Sequence, residues 1–172
     1  LKEAPGAKLV HLACHAGVGT TASASALYLA PGPNGDSTLD FAEIVRAPLE
    51  NALVFLAACR SGAGRATADG TVGLAREFLR AGARAVVASY WKVSDEATRI
   101  LVSHFYDRYL KGAKSERGEN ERVDVAAALR DAVLATRDDL SRQTGAGQGA
   151  SAHPGGWGSF FVLGDGGLTD AL

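Results

Sequence analysis

Cysteine is scarce: the 172 residues hold two, Cys14 and Cys59, too few for a disulfide framework or, by themselves, a zinc site. An excess of charge of one sign is missing too. Lys and Arg number 18 against 19 Asp and Glu, a net charge of −1, so no global field draws the chain to nucleic acid or a membrane surface. No run approaches the roughly 18 apolar residues of a membrane span. The opening residues, LKEAPGAKLV, lack the basic start and apolar stretch of an export signal. These absences predict a reducing cytoplasm, where a lone cysteine is more often chemical than structural.

What is present is the profile of one soluble globular domain, 47% hydrophobic and 22% charged, long enough to bury a core. The Ala/Gly/Arg bias suggests a GC-rich bacterial gene. Residues 8–14, 52–58 and 85–90 are short apolar runs that read as buried parallel strands, ending at His15, Cys59 and Trp91. Residues 26–29 and 37–39 flank a Pro/Gly/Asn turn and predict a surface hairpin. Asp40 and Glu43 have capping-box spacing for a short helix.

Residues 61–70 read as a Gly/Ala loop, and 72–79 as a helix closed by Gly82. Ser94 is placed to cap a long helix with Ala97, Ile100, Leu101, His104, Phe105 and Tyr109 on one face. Asp124 opens another, with Val125, Ala128, Leu129, Ala132 and Val133 inward. Residues 20–25, 114–121 and 142–156 read as loops, and 159–163 as the last strand. Strands alternating with helices predict an α/β fold with a mostly parallel sheet. In such sheets chemistry gathers beyond the carboxyl ends of the strands, where His15 and Cys59 both lie.

A thiolate attacks a carbonyl well, provided the leaving amine is protonated and the oxyanion held. One Cys, one His and free backbone amides suffice, and Gly17 opens the backbone to close approach. A core cysteine and an unrelated histidine would give the same spacing. Three other readings compete. Residues 59–65 match the C-x5-R loop of cysteine-dependent phosphatases, with Arg65 as the oxyanion fork. Ala58 and Ala66 depart from that motif, and its arginine normally opens a helix. Residues 17–22 weakly imitate a dinucleotide fingerprint, without the following helix or distal acid. Cys14, His15 and Cys59 as metal ligands lack a Cys-x-x-Cys pair.

The segment Val10-His11-Leu12-Ala13-Cys14-His15 resembles the strand and catalytic histidine of CHAT domains, relatives of caspases and separase. Leu56-Ala57-Ala58-Cys59-Arg60-Ser61-Gly62 resembles their nucleophile segment. The likeness continues in order through residues 73–83, the W-x-V-x-D turn at Trp91 to Asp95, Phe105-Tyr106, residues 127–132, and residues 153–165. The resemblance implies a three-layer caspase-like sandwich and a cysteine endopeptidase without a cofactor. His15 and Cys59 would be the catalytic pair.

The family usually has glycine directly after the histidine. Here Ala16 intervenes, so the resemblance points to the backbone N–H of Ala16 or Gly17 for the oxyanion. It implies substrate contacts at Ser89, Trp91 and Asp95, the last favouring Arg or Lys before the cut bond. Asp95 equally suits a helix N-terminus. The expected partners are a protein or peptide substrate and a helical-repeat or other sensor module in a longer parent protein. Caspase-like domains also serve as silent scaffolds. Caspase-like sheets carry two strands before the histidine strand and only seven residues precede Lys8, so a fragment of a longer domain is expected. Cys14, Trp157, His104 and His153 read as structural, the two histidines without a nameable partner.

Overall fold

The computed structural model describes residues 5–17, 26–32, 35, 37–58, 65–67, 70–91, 94–112, 123–143 and 153–169. Two compact units emerge: Leu1–Trp91 with Leu163–Asp165, and Lys92–Val162 with Gly166–Leu172. The fold is mixed α/β with a mostly parallel sheet, the class expected of a caspase-like sandwich.

Strands β1 (Leu9–Leu12), β5 (Leu53–Leu56), β8 (Ala85–Ser89) and β10 (Phe160–Gly164) form the main sheet in the order β1-β5-β8-β10. Residues 163 and 164 of β10 belong to the first unit. β5 and β8 are buried along their whole length, as parallel strands covered on both faces must be. That is why they read as unbroken apolar runs. β1 alternates less cleanly and keeps half-buried residues, because it stands at the end of the strand order. The register pairs Leu9 with Leu53, His11 with Phe55 and Leu12 with Leu56.

A second, antiparallel sheet is built from β2 (His15–Gly17), β3 (Ala26–Tyr28) and β4 (Thr38–Asp40), in that order. The expected hairpin is its β3–β4 half, closed by Leu29 N–H donating to the Ser37 carbonyl at 2.7 Å. Asp40 then caps α1 (Phe41–Val45) through the full capping box. Its Oδ1 accepts from Glu43 N–H at 2.8 Å, and its own N–H donates to Glu43 Oε2 at 3.2 Å.

Where the sequence reading has a loop over 61–70 and a helix from 72, residues 65–67 and 70–72 form a small antiparallel pair, β6 (Arg65–Thr67) and β7 (Gly70–Val72), and the helix begins only at Leu74. Strands of three residues are too short to leave a period-2 signature. α2 (Leu74–Arg80) ends in a Schellman arrangement: Ala83 N–H reaches the Phe78 carbonyl and Gly82 N–H the Leu79 carbonyl, both at 3.0 Å. Gly82 has φ +96° there, and the Glu50 backbone passes 3.3 Å from where a Cβ would stand.

The second unit is dominated by α3 (Asp95–Gly112) and α4 (Val125–Gln143). Ser94 Oγ accepts from Ala97 N–H at 3.1 Å and Asp124 Oδ1 from Ala127 N–H at 2.8 Å, so both predicted caps are in place. Ala97, Ile100, Leu101, Phe105 and Tyr109 are buried on α3, and Val125, Ala128, Leu129, Ala132, Thr136 and Leu140 on α4. Phe105 stacks on Tyr109 with centroids 5.6 Å apart. Trp157 and Phe160 pack against Ala97, Ile100 and Leu140, so Trp157 is the packing anchor expected.

His104 has a partner after all: its Nε2 lies 2.7 Å from Asp139 Oδ2 and joins α3 to α4. That hydrogen bond holds the Asp139 carboxyl below the usual carboxylate range. His153 likewise uses Nδ1 to accept from Gly155 N–H, starting a short 3-10 turn, Pro154–Gly156. Of the loop expected over 142–156, residues 142 and 143 belong to α4 and 154–156 to this turn, and residues 144–152 lie outside the described residues. Two-residue strands β9 (Val123–Asp124) and β11 (Leu168–Thr169) pair antiparallel. The loops expected at 20–25 and 114–121 lie outside the described residues. No helix among the described residues is long and apolar enough to cross a membrane.

Candidate active site

In the first unit β1, β5 and β8 are adjacent and parallel, and His15, Ala58 and Ser89 lie at or just beyond their carboxyl ends. After β1 the chain bends at Cys14 and His15 begins β2. After β5 come Ala57 and Ala58, the latter buried, with Ala57 N–H donating to the Leu12 carbonyl at 3.0 Å. Cys59 follows and lies outside the described residues, as do residues 60–64. Leu12 pairs with Leu56. His15 is the third residue after Leu12, and Cys59 the third after Leu56.

β8 ends in Ser89, followed by Tyr90 and Trp91. Ser89 is 3% exposed, and its Oγ donates to the Ala58 carbonyl at 3.1 Å. It therefore braces the backbone immediately before Cys59. Tyr90 and Trp91 are both exposed, ring centroids 6.4 Å apart. Asp95 belongs to the second unit and is the first residue of α3, exposed beside the Ser94 cap. A carboxylate there complements the helix dipole.

The strand β2 is new relative to the sequence reading, which ends its first strand at His15 and places a loop only at 20–25. It pairs antiparallel with β3, His15 opposite Tyr28, Ala16 opposite Leu27 and Gly17 opposite Ala26. Side chains alternate between faces along a strand. Ala16 therefore shares a face with Leu27 and Leu39, which are 0% and 7% exposed. His15 and Gly17 share the opposite, open face with Tyr28. Successive N–H groups also point to opposite edges of a strand, so pairing with β3 engages alternate residues of β2. Of the Ala16 and Gly17 amides, one faces β3 and the other the open edge.

The two remaining titratable neighbours are chemically quiet. His11 stacks on Phe55 with centroids 5.2 Å apart and planes 1° apart, and burial pushes its pKa down. Cys14 is half-buried rather than a full core residue, and burial pushes its thiol up, away from the reactive thiolate. At the phosphatase alternative, Arg65 opens β6, paired with Val72 of β7. An extended strand stands where that motif's arginine would begin a helix.

The family model described as CHAT domain matches residues 1–165. Tetratricopeptide repeat protein 28 of Mus musculus is 30% identical over 132 residues, 77% of this chain. Its Homo sapiens counterpart is 29% identical over 132 residues, again 77%. The chain spans 5% of the length of each of these relatives. With the model covering nearly the whole chain, this protein belongs to the CHAT domain family.

Proposed function

We propose that this domain is a caspase-like cysteine endopeptidase in which Cys59 is the nucleophile and His15 its acid–base partner. One observation carries the reading. β1 and β5 are adjacent and parallel with Leu12 opposite Leu56, and His15 and Cys59 each follow three positions later in the sequence, past strand ends of the kind where parallel sheets hold their ligands.

In the reaction, the Cys59 thiolate forms a bond to the peptide carbonyl carbon and the oxyanion develops. The C–N bond then breaks as His15 gives its proton to the departing amine. Water adds to the thioester and returns the thiol. The oxyanion is held by the open-edge amide among Ala16 and Gly17, together with that of Cys59. Ser89 fixes the carbonyl of Ala58 and so aims the backbone that presents the nucleophile. A preference for Arg or Lys before the cut bond is what the family resemblance attaches to Asp95.

The relatives are named for tetratricopeptide repeats, which favours a repeat module in the parent protein as the sensor that switches the domain on. Cleavage of a peptide library by the parent protein, with Cys59→Ala as the control, tests the reading. Turnover is expected only with Cys59 intact, the fold being unchanged by circular dichroism. Peptidase activity surviving in Cys59→Ala refutes the mechanism. A preference for neutral residues before the cut makes Asp95 a helix cap only.

A further inference from the structure

His15 and Tyr28 stand directly opposite each other in the β2–β3 ladder, so their side chains rise from the same face of the sheet as nearest cross-strand neighbours. That face is open. Tyr28 is 51% exposed, the most exposed large hydrophobic residue among those described. Its ring is nevertheless held. A Cβ built on Gly17 would lie 2.6 Å from the Tyr28 hydroxyl oxygen and 2.7 Å from Cε2. The ring therefore lies across the bare α-carbon of Gly17, in the diagonal aromatic–glycine arrangement that pins strand registers. One side of the aromatic is packed on the strand that carries His15, and the residue still keeps half its surface exposed.

We propose that Tyr28 is a specificity-determining residue: its ring, laid on Gly17 beside His15, contacts the substrate residue that departs with the new amine and favours a flat or apolar side chain there. The proposal rests on the peptidase reading of His15 and Cys59. The chemistry sets which side of the cut is involved. The group that protonates the leaving nitrogen must lie at that nitrogen, so a side chain adjoining the His15 imidazole meets the residue that follows the cut bond. A pre-packed tyrosine suits this, because it offers a large contact surface and loses little conformational freedom when covered. The need for a bare α-carbon under the ring also explains glycine at 17 without invoking unusual backbone angles.

The test uses the full chain and a peptide series that differs only in the residue after the cut: Gly, Leu or Phe. A peptidyl aldehyde carrying the same acyl half, and therefore no leaving residue, serves as the second probe. The wild type is expected to cut the Leu and Phe peptides about tenfold better than the Gly peptide in kcat/KM. Tyr28→Phe keeps that preference, whereas Tyr28→Ala and Tyr28→Gln lose it. Inhibition by the aldehyde changes by less than about twofold in all three variants.

Retention of the preference in Tyr28→Ala and Tyr28→Gln overturns the proposal. So does a parallel loss of aldehyde binding, which would make Tyr28 merely a support for β2. Should the wild type cut none of the peptides and ignore the aldehyde, the peptidase reading itself fails and this inference with it.

Discussion

His11 and His15 sit four positions apart on the same stretch of chain and do different things because of what their side chains meet. His11 stacks face to face on Phe55 across the β1–β5 pair, and burial lowers its pKa. His15 is exposed on the open face of β2. The consequence for His11 has a definite sign. Its folded-state pKa lies below its ordinary 6.5, so below that pH the unfolded chain takes up the proton more readily. The stability due to His11 is present above pH 6.5 and is lost as pH falls through the lowered folded value. Urea midpoints at pH 7.5 and pH 5 are expected to fall on acidification, and His11→Phe is expected to shrink that fall. An equal or larger fall in the variant contradicts it.

At this scale the sequence is readable where a residue announces its own chemistry, as Ser94 and Asp124 do in capping their helices. Tyr28 leaves no such mark. Its importance comes from a strand partner that a three-residue segment, His15–Gly17, is too short to declare. The partners of His104 and His153 were hidden differently. Asp139 is 35 residues from His104, and the Gly155 amide is a backbone group.

Among the elements, those with periodicity and caps were legible: β5, β8, α3 and α4 to within a few residues at their ends, and α1 from its capping box. The β6–β7 pair and β2 were not, because alternation needs more than three residues to show. The α2 terminus was legible through Gly82, and it gives a direct stability test. The left-handed φ of +96° and the Glu50 backbone 3.3 Å from an added methyl both oppose a side chain. Gly82→Ala is expected to cost about 1–2 kcal/mol, read as a lower denaturation midpoint with an unchanged slope. An unchanged midpoint would show that the Schellman turn can re-form around alanine.

For the molecule as a whole, β1 and β5 are parallel neighbours with Leu12 opposite Leu56, although a hairpin and a helix separate them in sequence. The proposed pair, His15 and Cys59, follows these two strands in the chain. The family match covers residues 1–165.

The central claim is that Cys59 reacts because His15 serves it, while Cys14, half-buried with its thiol pushed up, does not. Labelling with a peptidyl acyloxymethyl ketone, followed by intact-mass measurement and peptide mapping, tests this in one experiment. The expected result is a single adduct on Cys59, lost in His15→Ala and Cys59→Ala. Adducts shared between Cys14 and Cys59, or labelling of Cys59 indifferent to His15, would contradict it.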